Sequence, residues 1–173
     1  NDRKSAVAKS GDRHFLGFGL KRAAMDGKVE VHLSERSKIR LSKRVRELTP
    51  RNFGGSMGIL IKRINSYLKG WISFFHICTE ETQRTLQYVD AHIRRRLRAI
   101  QLKDWKRRRT IVRELIKRGA KPKSAWEGIY SKRRSTWSLS HCPVVDRTLN
   151  KAYWSKLELV SLLSLWMDWP CQS

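Results

Sequence analysis

The side chains best placed to do chemistry in this sequence are its arginines and lysines, and what they offer is a grip on phosphate. A guanidinium or an ammonium holds a phosphate oxygen by charge and by N–H donors. Arg36, Lys38, Arg40, Lys43, Arg44 and Arg46, with Arg51 just beyond, form one cluster. Arg94, Arg95, Arg96 and Arg98 form another. Lys106, Arg107 and Arg108 follow, and then Lys132, Arg133 and Arg134 with Trp137 close behind. No catalytic set accompanies them. The seven aspartates stand apart from one another, without the paired carboxylates that a two-metal site needs. There is no Gly-rich phosphate loop and no nucleophile elbow. His76-x-Cys78 and His141-Cys142 lack a Cys-x-x-Cys partner, so no metal ligand is assigned and Cys78 reads as a core or helix-end residue.

Composition says the same thing on a larger scale. Against 38 Lys and Arg stand 15 Asp and Glu, a net charge of +23. Such an excess strains an isolated fold by self-repulsion, and a polyanion relieves it. Nucleic acid is therefore the expected partner. No apolar run approaches the roughly 20 residues that span a bilayer, so a membrane is not. The first residues carry no apolar run before a cleavage site. Three widely separated cysteines, Cys78, Cys142 and Cys171, make no disulfide framework. The expected setting is reducing and intracellular. A chain that opens at Asn1 is expected to be a piece of something longer.

The elements that must position these cations are mostly helical. The stretch from Ile59 to Ile77 organises them: Ile61, Ile64, Leu68, Trp71 and Phe75 recur at three and four, widened by Leu60, Tyr67 and Phe74. So wide an apolar face must be buried against neighbours. Upstream, Ser34 or Glu35 opens a helix that Thr49-Pro50 closes, with Leu41, Val45 and Leu48 as its stripe. Arg36, Arg40 and Lys43 share another face. Ser56 is the expected N-cap of the central helix. Downstream, Thr79 with Glu80 and Glu81 is the expected start of a third helix. Its stripe is Leu86, Val89, Ile93, Leu97 and Ile100; Arg94, Arg95 and Arg98 fall on the far side and Arg96 at the rim. Gly119 is the expected C′ residue of a fourth helix.

Residues 14 to 33 read as two strands turning at Asp26-Gly27. A short helix is expected around Ala125 to Tyr130, an exposed basic loop over Ser131 to Ser140, and a helix from Pro143 with Val144, Val145, Leu149 and Ala152 on its apolar side. Leu157 to Trp169 reads as a buried closing helix. The fold class is mainly α: a helical bundle with an N-terminal β-hairpin and a small helical C-terminal segment, divided at 1–33, 34–102 and 103–173. Trp105, Trp126, Tyr130 and Trp137 interleave with basic residues. They either stack on bases or pack in the core. The core is preferred for Trp126 and Tyr130; for Trp137 both readings stand.

These residues, taken in order, resemble a family. Arg46-Glu47-Leu48-Thr49-x-Arg51-Asn52, then Asn65-x-x-Leu68-x-Gly70-Trp71-x-x-Phe74-Phe75, then Asp90-x-x-Ile93-Arg94-Arg95-Arg96-Leu97-Arg98, then Trp105-Lys106 are similar to the thumb, or maturase domain, of group II intron-encoded reverse transcriptases. Phe15-Leu16-Gly17-Phe18 resembles the last palm motif. Ser131 to Ser140 with the Leu-rich end resembles the DNA-binding segment after the thumb. The resemblance covers nearly the whole chain.

It implies an end of palm at 1–33, a thumb at 34–102 and a DNA-binding segment at 103–173. It gives Phe15, Leu16 and Gly17 a primer-side role. Arg36, Lys38, Arg40, Lys43, Arg44, Arg46 and Arg51 would meet template–primer duplex or intron RNA, and the Arg94 to Arg98 face intron RNA or duplex backbone. Lys106, Arg107, Arg108, Lys132, Arg133, Arg134 and Trp137 complete the nucleic-acid set. The implied partners are group II intron RNA, a DNA target, the RNA/DNA duplex, and a fingers and palm region in the same polypeptide or a companion chain. The polymerase aspartates and their Mg belong to that other region, so no cofactor is expected within this sequence. A bacterial cytoplasm or an organelle is the implied location. Two departures stand out: Pro50 inside the Thr-x-Arg link, and Arg133-Arg134-Ser135 where the family usually has a glycine.

Two other readings compete with a thumb that serves splicing and retrohoming. One is a free-standing maturase remnant or RNA chaperone that aids splicing without polymerase activity. The other is a sequence-specific DNA-binding protein, which lacks support from any helix-turn-helix or zinc-finger pattern.

Overall fold

The computed structural model describes residues 14–22, 29–79, 82–131 and 135–169. The Asp26-Gly27 turn, Glu80, Glu81, the run Lys132, Arg133 and Arg134, and Cys171 lie outside the described residues. The architecture is mainly α, with a small sheet at the N-terminal end.

β1 (His14–Phe15), β2 (Phe18–Arg22) and β3 (Val29–Leu33) form a three-stranded antiparallel sheet in that order. The sequence predicts two strands here; the structure adds a turn at Leu16-Gly17. Both residues have positive φ, 50° and 92°, as a two-residue I′ hairpin demands. Leucine is a poor left-handed residue, which is why the sequence hides this turn. Gly17 is required for two reasons: its φ, and a Cβ that would lie 2.6 Å from the Ser37 hydroxyl. Its carbonyl accepts from the Ser34 N–H at 3.0 Å and from the Ser37 hydroxyl at 2.8 Å. The tip is thereby fastened to the first helix.

That helix, α1 (Glu35–Leu48), is capped by Ser34, whose hydroxyl accepts from the Ser37 N–H. Leu41 and Val45 are buried; the arginines on its other face are exposed. α2 (Met57–Phe75) is capped by Ser56 and buries Leu60, Ile61, Ile64, Leu68 and Ile72. At its C-terminal end Phe74 and Phe75 receive the Phe18 ring at 5.4 and 5.1 Å, which seats the sheet on the helices.

α3 (Thr82–Asp104) is the longest element and buries the expected stripe from Leu86 to Ile100. It starts at Thr82, three residues after the predicted Thr79. Thr79 instead gives its N–H and its hydroxyl to the Val31 carbonyl, tying the α2–α3 connection to β3. α4 (Arg108–Lys117) ends in a Schellman closure at Gly119, φ 95°, where the Ala120 N–H reaches the Leu115 carbonyl. α5 (Pro122–Tyr130), α6 (Thr136–Leu139), α7 (Pro143–Thr148), α8 (Lys151–Lys156) and α9 (Leu162–Met167) complete the chain. One apolar core joins Leu41 and Val45 to Leu68, Leu97, Ile111, Ile129, Val145, Trp154 and Leu162.

Three expectations need correction here. The stretch Ser135 to Ser140 is not an exposed loop: it forms α6 against α3, with Leu139 and Ser140 buried. The helix from Pro143 stops at Thr148, and Ala152 belongs to α8 on its exposed side. Leu157 to Trp169 is not one helix. Glu158, at φ 65°, breaks it, and only Leu162–Met167 is helical. Side chains of other elements satisfy the backbone freed by that break. Asn65 donates to the Glu158 carbonyl at 2.7 Å and accepts from the Val160 N–H at 3.1 Å. Buried Asp90 accepts from the N–H groups of Leu162 and Leu163 at 2.9 and 3.3 Å, and from the Ser161 hydroxyl. A carboxylate on α3 thus closes the N-terminal end of α9.

Candidate nucleic-acid interface

The helical period puts Arg36, Arg40 and Lys43 on the outer face of α1, exposed, and none of them forms an ion pair with a described residue. Their neighbours are partly engaged. Lys38 pairs with Glu35 at 3.5 Å, and Arg44 pairs with Glu47 at 3.0 Å with its guanidinium 5.9 Å from the Tyr67 ring. Exposed i,i+3 pairs of this kind hold little energy and release readily. Between α1 and α3 runs an open groove of about 670 Å³, lined by Lys38, Lys43, Arg46, Arg84, Ile39 and Tyr88 among others. Tyr88 and Ile39 are 69% and 60% exposed, so this basic groove also presents apolar surface. Sequence reasoning missed Arg84, Tyr88 and Ile39. The signal was available: all three fall off the buried stripes of their helices.

The predicted arginine face of α3 is corrected. Arg94, Arg95 and Arg98 do share an arc, but the second half of the chain packs on it. Arg98 is 5% exposed and ion-paired with Asp146 of α7, whose carboxylate is itself half-exposed. Burial, with Arg94 and Arg95 nearby, pulls its pKa down to about 10. It stays cationic at neutral pH and is spent on holding α3 to α7. The Arg95 guanidinium lies 4.2 Å from the centre of the Trp137 ring. Arg94 lines a crevice beside Lys151 and Trp154. Arg96, on the other side, donates to the Thr49 hydroxyl and to the Thr49 and Arg46 carbonyls. These bonds close the C-terminal end of α1. Burial, then Arg51 and Arg46, lower its pKa.

The remaining predicted residues are dispersed. Phe15 and Leu16 stand out at the sheet tip. Lys106, with φ 57°, and Arg107 are exposed in the α3–α4 corner. Arg108 donates to the Ile129 carbonyl at 3.1 Å and lies 5.8 Å from the Tyr130 ring. Arg51 is exposed and unpaired among the described residues. Trp126 and Tyr130 overturn the core preference. They stack on each other at 5.2 Å on the outer face of α5, while Ala125 and Ile129 take the inner one. Trp137 is half-buried. Among the described residues no three of His, Cys, Asp and Glu come together to hold a metal ion, and no helix is long and apolar enough to cross a membrane.

The sequence pattern of the group II intron maturase-specific domain matches residues 39–127, more than half of the 173 residues. The chain belongs to the group II intron maturase family. No curated protein matches it. The match runs from inside α1 through α2, α3 and α4 into α5, so all of the α1–α3 groove but Glu35 and Lys38 lies within the maturase domain. A maturase domain acts in the splicing of group II introns and binds intron RNA.

One titrating group lies among these cations. The His92 imidazole is half-buried between Tyr88 and the edge of Trp137. Burial, then Arg96, Arg46 and Arg95, hold it below its usual 6.5. The unfolded chain therefore takes up a proton that the folded maturase refuses, and folding stability falls as pH drops below 6.5. Denaturation midpoints between pH 7.5 and pH 5 are expected to fall more for the native chain than for His92→Phe. Equal slopes would remove this residue from the account.

Proposed function

We propose that this chain is the nucleic-acid-gripping C-terminal part of a group II intron reverse transcriptase/maturase, and that it holds structured intron RNA along the α1–α3 groove. The observation that carries this reading is a set of exposed cations, Lys43, Arg46 and Arg84 lining that groove and Arg36 and Arg40 on the adjoining outer face of α1, which no carboxylate among the described residues pairs. Phosphates of a folded RNA would neutralise them. Tyr88 and Ile39 would rest on sugar or base, and Lys38 and Arg44 would exchange weak internal partners for phosphate. Recognition would read mainly shape and 2′-OH groups. Further along the same polypeptide, the reading extends to template–primer duplex and DNA target. Phe15, Leu16 and Gly17 lie on the primer side. Lys106, Arg107 and the Lys132 to Arg134 run would meet target DNA, and the Mg-dependent polymerase site would belong to a fingers and palm region of the same polypeptide or a companion chain. Retrohoming by RNA-directed DNA synthesis is the corresponding activity of the whole protein.

The test is salt. For the chain with a structured group II intron RNA, affinity is expected to fall by about 10³-fold or more between roughly 50 and 200 mM monovalent salt. An affinity that hardly moves across that range would rule out a phosphate grip.

A further inference from the structure

A second recess lies further along α3, beyond the end of the groove. It lies between the loop after α1, the C-terminal half of α3 and the start of α6, and measures about 300 Å³. This is the small end of the roughly 300–1,000 Å³ range of ligand pockets. It holds one base with its phosphate, not a turn of duplex.

Its walls divide by chemistry. Ala99 and Ile100 supply an apolar side. Trp137 supplies an aromatic one, and the ring is held in place: the Arg95 guanidinium lies 4.2 Å from its centre and His92 meets it edge-on at 6.2 Å. Arg51, Arg96 and Lys103 bring three positive charges to the rim, and among the described residues no Asp or Glu lines the recess. Arg96 is anchored by backbone and hydroxyl oxygens, not by a carboxylate. Lys103 donates to the neutral Asn52 amide, with the Asp104 carboxylate next to it in sequence outside the lining, and Arg51 has no partner among the described residues. A preformed aromatic wall beside unneutralised cations fits a flat π-system carrying an anion. It does not fit an apolar ligand, which leaves the charges unmet, or a bare anion, which leaves the aromatic wall unused.

We infer that this recess receives one unstacked nucleotide of the bound RNA, with its base against Trp137, Ala99 and Ile100 and its phosphate between Arg51 and Lys103. The inference rests on the RNA-binding reading above and adds a preference to it: the maturase selects RNA with a nucleotide out of the stack. An extruded or bulged residue has already left its neighbours, so stacking on protein gains on the order of tenfold in affinity.

The experiment compares short RNA duplexes that differ only at one position: fully paired, carrying a single bulged 2-aminopurine, or carrying an abasic residue in the bulge. The native chain is expected to bind the 2-aminopurine bulge about tenfold more tightly than the paired duplex, and to quench its fluorescence. The abasic bulge is expected to bind like the paired duplex. Ala99→Phe fills the recess from α3 and is expected to abolish both preference and quenching while paired-duplex affinity stays the same. If that variant does not fold, Arg51→Gln decides: the bulged duplex should lose more affinity than the paired one. Equal affinity for bulged and paired RNA, or a preference that survives in a folded Ala99→Phe, overturns the inference and leaves the salt-dependent grip intact. Failure to bind any of these RNAs overturns both.

Discussion

Replacing Arg36, Arg40 and Lys43 together with glutamine is expected to weaken intron RNA binding by about 10²-fold near physiological salt and to flatten the salt slope by about 2 to 3. Each cation that meets a phosphate releases close to one counterion, so three lost contacts remove nearly three ions from the exchange. The side chains are exposed and make no ion pair with a described residue, so nothing inside the protein depends on them. Glutamine keeps most of the helix propensity of arginine and lysine. Removing like charges from a chain at +23 relieves repulsion, so the thermal midpoint should hold or rise. Lys121→Gln with Lys123→Gln, on the exposed start of α5, provides the contrast. If those replacements cost as much per charge as the α1 set, the RNA senses net charge and not the α1 face. Affinity and slope measured on the same intron RNA would show it.

Trp154→Ala is expected to cost about 3–5 kcal/mol of folding stability and to lower the melting midpoint by roughly 6–20 °C. Trp154 is 1% exposed, belongs to the core shared by α1 to α9, and gives its indole N–H to the Leu149 carbonyl at 3.0 Å. Alanine leaves a cavity and an unpaired carbonyl. Against a total stability of about 5–15 kcal/mol, that is a large fraction. The loss should appear across the whole unfolding transition, because α8 packs into the same core as α2 and α3. Trp154→Phe keeps most of the packing and should lose far less. A drop under about 1 kcal/mol for the alanine variant, measured by urea titration, would mean that the second half of the chain adds little to a core that stands without it.

How far the sequence reveals this structure depends on the range of the interaction. Short-range rules worked where they act alone. The stripe Leu86, Val89, Ile93, Leu97, Ile100 is buried as its period requires, and the caps at Ser34 and Ser56 and the closing Gly119 stand where local chemistry puts them. The exposed cations of α1 follow from the same period.

What failed was the far side of α3. Periodicity assigns Arg98 to an arc but cannot say that Asp146, 48 residues later, will cover that arc and take its charge. Trp126 and Tyr130 mislead in the opposite sense: large aromatics suggest a core, yet Ala125 and Ile129 already fill the inner face of so short a helix. The Leu-rich end looks continuous because Asn65 and Asp90, which hold its break open, are far away in sequence. The recess beside Trp137 draws its walls from three separated segments, and no local pattern brings them together.

The carbonyl of Gly17 carries a mechanical implication. Held by both the N–H of Ser34 and the hydroxyl of Ser37, it ties the protruding tip at Phe15 and Leu16 to the first turn of the arginine-bearing helix. Tip and helix are thus joined directly, and a polynucleotide held along the helix as proposed would meet the tip at a fixed offset.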